Sequence, residues 1–98
     1  MDVQKILADA LAKPVVAEAP QGACRVYVSI LDAEQAKLVS KAAKKLGKDF
    51  QKKSYYGDRN VIYIGYDNFD GKDLARGSAV VAALKGAGIN CVRRENAD

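Results

Sequence analysis

A chain of 98 residues that is 49% hydrophobic carries enough apolar side chain for one packed domain without metal or disulfide support, so disorder as its main state is excluded. Sixteen Lys and Arg against twelve Asp and Glu leave a net charge of +4, a mild bias toward anionic partners. The absence of histidine removes the commonest general base, the usual metal ligand and the near-neutral pH switch together. No apolar run approaches the roughly 20 residues that span a bilayer. The first residues also lack a basic segment followed by a long apolar stretch, so a cytoplasmic protein with no membrane partner is expected.

In chain order, Val3, Ile6, Leu7, Ala10 and Leu11 share one helical face and predict a short amphipathic helix ended by Pro14. Residues 1–13 are read as an appended helix and 14–23 as a linker, with Val15 and Val16 available to pin it to the core; the main domain is expected over 24–95. Arg25 to Leu31 predicts a strand with Val26, Val28 and Ile30 on its inner face. Asp32 is a good N-cap and Gln35 stands at the capping-box position of a helix that Gly47 ends. Its inner face would hold Leu38, Val39, Ala42, Ala43 and Leu46.

Phe50 to Tyr56 reads as a second strand, 57–60 as a hairpin turn, and Val61 to Tyr66 as an antiparallel neighbour. Asp67, Asn68, Asp70 and Gly71 form a turn, after which Leu74, Ser78, Val81 and Leu84 recur at helical spacing until Gly86 and Gly88. Ile89 to Arg94 is the last strand, followed by a polar tail. The predicted class is α+β, a leading helix plus β-α-β-β-α-β, the order of ferredoxin-like folds. Such a chain builds a four-stranded antiparallel sheet with two helices on one face and the other face open.

Alternation directs Val26, Val28, Ile30, Ile62, Ile64 and Tyr66 under the helices, and Arg25, Tyr27, Ser29, Val61, Tyr63 and Gly65 to the open face. There the stretch Val26-Tyr27-Val28-Ser29-Ile30-Leu31 resembles the hexamer of the RNA-recognition motif family, with Tyr27 at its aromatic position. The stretch from Arg59 to Tyr66 is similar to that family's octamer at Arg59, Tyr63, Ile64 and Tyr66, and departs from it at Asn60, Val61 and Ile62. The resemblance implies bases stacked on Tyr27 and Tyr63. Open-face binding candidates are thus Arg25, Tyr27, Tyr63 and Arg94. The competing expectation is a Tyr27–Tyr63 cross-strand pair covered by the leading helix or a second subunit. Residues 25–29 are also similar to the first strand of acylphosphatases, but the Gly-rich loop that cradles phosphate in that family does not follow.

Lys37, Lys41, Lys44 and Lys48 follow an i, i+4, i+7, i+11 course, with Lys45 beside them, and make one stripe of the main-domain helix basic. Lys52, Lys53, Arg59, Arg93 and Arg94 add positive charge near the sheet. A basic binding surface of Lys37, Lys41, Lys44, Lys48, Lys52, Lys53 and Arg59 is one expectation; a solvated face that serves solubility is the other. Asp67, Asp70 and Asp73 lack EF-hand spacing and read as helix caps. Cys24 and Cys91 have neither CxxC spacing nor a histidine partner, so two reduced, partly buried thiols are expected.

No catalytic residue, metal or cofactor is expected. The first functional expectation is a small non-catalytic protein-interaction module, such as a stand-alone inhibitor or adaptor of the kind phages carry, that binds a larger assembly. The alternative is an RNA- or single-stranded nucleic-acid-binding module using the open sheet face. A protein partner ranks ahead of nucleic acid, and a homodimer through the N-terminal helix or sheet face is a further expectation.

Overall fold

The computed structural model describes residues 2–19, 22–54 and 57–97. Seven elements follow in order: α1 (Val3–Ala12), β1 (Ala23–Ile30), α2 (Ala33–Lys45), β2 (Phe50–Lys53), β3 (Arg59–Asn68), α3 (Lys72–Gly86) and β4 (Cys91–Ala97). The strands form one antiparallel sheet in the order β2-β3-β1-β4. Val26, Val28, Ile30, Ile62 and Ile64 of the sheet share a single buried cluster with Leu7, Val39, Leu74 and Leu84 of the three helices. The architecture is therefore α+β, with all three helices on one side of a four-stranded antiparallel sheet.

The helix starts follow the capping logic of the sequence. Asp2 accepts the Lys5 N–H at 3.0 Å and Asp32 accepts that of Gln35 at 2.9 Å, each satisfying an orphan donor of the first turn. Gln35 does not return the bond of a capping box. Its side chain instead donates to the Gly88 carbonyl and accepts the Asn90 N–H, both at 2.8 Å, tying α2 to the entry of β4. The inner stripe of α2 is Ala36, Val39, Ala42 and Ala43. Leu38, expected on that stripe, is 51% exposed: it lies off the stripe, in a groove shared with Val3 and Gln4 of α1.

Strand limits differ from expectation at both ends of the sheet. The second strand stops at Lys53, and Tyr55 and Tyr56, expected within it, lie outside the described residues. Arg59 and Asn60, expected in the turn, belong to β3. Glu95, Asn96 and Ala97, expected in a tail, extend β4, because β1 supplies pairing partners as far as Cys24 opposite Ala97.

The largest departure is a bulge. Val26 faces Gly65 whereas Tyr27 faces Tyr63, so Ile64 is an extra residue on β3. Beyond it every side chain changes face. Gly65 and Asp67 turn toward the helices, and Tyr66, expected beneath them, emerges on the opposite face with 40% of its surface exposed. Gly65 fits this register because the Asp73 carboxylate of α3 occupies the space a Cβ would need.

The leading helix packs on α3 and α2, and its Leu7 is fully buried. The Arg76 guanidinium donates to the Ala10 carbonyl at 2.8 Å and also to that of Lys13. The following segment is anchored by Glu18, while Val16 is 89% exposed. The Glu18 N–H donates to the Gly71 carbonyl at 3.0 Å; its carboxylate accepts from Arg93 Nη1 at 2.9 Å and from the Ser78 hydroxyl at 2.7 Å. Gly71, at φ 76°, is required twice: for the left-handed backbone, and because a Cβ there would strike the Glu18 carbonyl.

Candidate functional site

Two surfaces collect the residues that composition and pattern single out. The first is the sheet face turned away from the helices. Tyr27 and Tyr63 meet there as a tilted pair with ring centroids 5.4 Å apart, and the Arg25 guanidinium lies 5.9 Å from the centre of the Tyr66 ring. Arg94 faces Tyr27 from β4. This face is closed at its centre: Tyr27 is 8% exposed, Ser29 4% and Val61 1%. Part of the closure comes from the entry of β3. Asn60 has a left-handed backbone, φ 53°; beyond that bend the Arg59 carbonyl accepts from the Ser29 hydroxyl at 2.7 Å, and Asp58 reaches across β1 to Arg94, at 3.7 Å.

The leading helix takes no part in covering this face, because it packs with the other helices. Tyr63 is half-buried, whereas Tyr66 and Arg94 are exposed. The face is thus an aromatic centre with a basic margin, and a flat ligand could approach Tyr66 and Tyr63 but not Tyr27. Tyr66 escaped sequence reasoning because strict alternation hid it. The available signal was Gly65, since a glycine inside a strand often marks a bulge.

The second surface is a groove of about 490 Å³ between α2 and the edge strand β2. Lys37, Lys41 and Lys44 border it from the helix and Lys52 from the strand, and Phe50, packed against the core, and Asn60 of β3 also line it. All four lysines are exposed, and among the described residues Glu34 pairs with Lys37 alone, at 3.2 Å between two well-hydrated groups. The structure therefore gathers four of the seven basic-surface candidates. Lys48 leaves the stripe because α2 ends at Lys45; it is half-buried, and its charge acts on Asp73. Lys53 and Arg59 face each other across the hairpin, outside the groove. Sequence marks Phe50 as a strand residue only, since nothing in it shows that α2 and β2 share a groove.

Arg93, counted from sequence among the basic groups near the sheet, points to the helix side and is spent on structure. It contacts Glu18 at 2.9 Å, Glu95 at 2.6 Å and the Leu74 carbonyl at 2.9 Å. Hydrogen bonds from Arg93 and Ser78 hold Glu18 below the usual carboxylate range.

Two of the three clustered carboxylates, Asp67 and Asp70, satisfy N–H groups at the start of α3, and the third, Asp73, lies in its first turn. Asp67 is fully buried and accepts the N–H groups of Gly71 and Leu74 at 3.0 and 3.1 Å, while Asp70 accepts that of Lys72 at 2.9 Å. Burial would raise the Asp67 carboxyl, but these backbone donors outweigh it and hold it below its ordinary value. Burial and the neighbouring Asp67 and Asp70 raise Asp73. Both cysteines are free and buried, and burial pushes each thiol upward. Cys24 pairs with Ala97 and Cys91 with Ile30, so the sulfurs sit at opposite ends of the ladder.

No helix among the described residues is long and apolar enough to cross a membrane. No protein-family model matches the chain, and neither the curated proteins nor the solved structures yield a match.

Proposed function

We propose that the chain is a ferredoxin-like module whose work is non-catalytic protein binding, as an inhibitor or adaptor acting on a larger assembly. The strand order β2-β3-β1-β4 with two crossover helices supports the ferredoxin-like assignment. The observation that carries the functional reading is the closed centre of the sheet face. Tyr27, the residue on which the hexamer's base would stack, is 8% exposed and packed against Tyr63, and Arg94 beside it is shared with Asp58. A stacking platform needs an accessible ring face, whereas protein contact needs only relief and charge, both of which the basic groove supplies. Asp67 and Asp70 are engaged by backbone N–H groups at the start of α3, and Cys24 and Cys91 are buried thiols.

One observation favours a second reading. Tyr66 emerges beside Arg25 and Tyr63, so the sheet margin offers an aromatic and cationic pair suited to single-stranded nucleic acid. Capture from a cell lysate on the immobilised protein, with and without nuclease, separates the two. The protein reading expects retained polypeptides that survive nuclease treatment; their complete loss would transfer the function to nucleic acid.

A further inference from the structure

We infer that the groove between α2 and β2 is a docking site for an extended acidic polypeptide segment, which adds to the free edge of β2 and lays its carboxylates among Lys37, Lys41, Lys44 and Lys52. The inference rests on the protein-binding reading and names the partner's chemistry.

Three features converge on that occupant. β2 is an edge strand, so among the described residues its outer backbone groups have no neighbour in the sheet. The Tyr63 N–H donates to the Asp49 carbonyl at 3.0 Å, and Gln51 and Lys53 pair with Val61 and Arg59. Because backbone direction alternates along an antiparallel strand, Phe50 and Lys52 turn their N–H and C=O groups outward. The two residues whose backbone turns outward, Phe50 and Lys52, are also the β2 residues that line the groove. An added strand would therefore meet hydrogen-bonding backbone and cationic side chains together.

Charge chooses among the possible strands. Four lysines repel a second copy of this basic chain at the same edge, the usual protection of an edge strand against self-association. They attract a segment in which alternate residues are acidic. The cations are all lysines, which act as point charges and lack the planar fork of arginine, and among the described residues the groove's lining holds one aromatic ring, the half-buried Phe50, with no second ring for successive bases. Polypeptide thus fits better than nucleic acid.

The test is a fluorescence-anisotropy titration of the full chain with a labelled decapeptide alternating glutamate and threonine. Its controls are the glutamine–threonine decapeptide, the glutamate–threonine decapeptide N-methylated at every glutamate, and a labelled thymidine oligonucleotide. Salt-sensitive binding of the glutamate–threonine peptide, at least tenfold weaker for Lys41→Glu/Lys52→Glu at unchanged melting temperature, is expected. Binding should also weaken at least fivefold for the N-methylated peptide, whose glutamates share the lysine face and so carry the N–H groups that would donate to Phe50 and Lys52. Equal affinity for the N-methylated peptide would overturn strand addition, and tighter binding of the oligonucleotide with the same loss in the variant would overturn the polypeptide occupant. Absence of peptide binding, with the same nuclease-resistant proteins captured by parent and variant, would remove the groove while leaving the protein-binding reading intact. If neither captures any nuclease-resistant protein, that broader reading fails as well.

Discussion

At the scale of single residues, Asp67 is a fully buried carboxylate whose two oxygens are committed to backbone N–H groups at the start of α3. Removing it strands those donors in the interior, so Asp67→Ala should lower stability by about 1–3 kcal/mol in a denaturant melt. The folded state depresses both Asp67 and Glu18. A depressed carboxyl contributes stability that is present above its unfolded value, near 4, and lost as pH falls through the folded value. Asp73, which is raised, acts in the opposite sense and recovers stability on protonation. Melting temperature should therefore fall below about pH 4, and Asp67→Asn should flatten that fall. The tyrosines separate in the same way. Tyr27→Ala should cost about 3 kcal/mol, within the range for emptying a buried aromatic site, whereas the exposed Tyr66→Ala should stay within about 1 kcal/mol. Equal costs would contradict the closed centre of the sheet face.

At the scale of elements, the helices were legible in sequence because their signals are local: Asp32 caps α2, and Leu74 and Leu84 mark the buried stripe of α3. The strand cores of β1 and β3 were legible for the same reason. The bulge was not, because alternation carries no information about one inserted residue, and it is the Val26–Gly65 and Tyr27–Tyr63 pairings that reveal it. That single slip brought Tyr66 onto the candidate face and turned the side chain of Asp67, already marked as a cap by its place before α3, toward the helices. The overhang of α2 on β2, which turns a lysine stripe into a groove, was hidden as well, since it depends on how closely Ala36, Ala42 and Ala43 let the helix approach. The bulge can be tested directly. Gly65→Ala should destabilise the protein because its methyl group meets the Asp73 carboxylate, and Asp73→Ala in the same chain should relieve most of that loss. Additive effects in this cycle would contradict the assigned register.

At the scale of the whole molecule, the leading helix and Glu18 belong to the packing of the domain, and the two thiols report on its integrity. Cys24 and Cys91 are 4% and 0% exposed, so both should resist a water-soluble thiol reagent under native conditions and react together only on unfolding. Fast labelling of either in the folded protein would contradict the packing at the ends of β1 and β4. The central claim, that this is a protein-binding module and not a nucleic-acid binder, is tested most directly by titrating labelled random single-stranded oligonucleotides at two salt concentrations, with the parent and the Tyr63→Ala/Tyr66→Ala variant. Nucleic-acid binders depend on counterion release, and even non-specific ones commonly bind at tens of micromolar. No binding by the parent in that range is the result expected here; salt-sensitive binding that the double variant loses would contradict it.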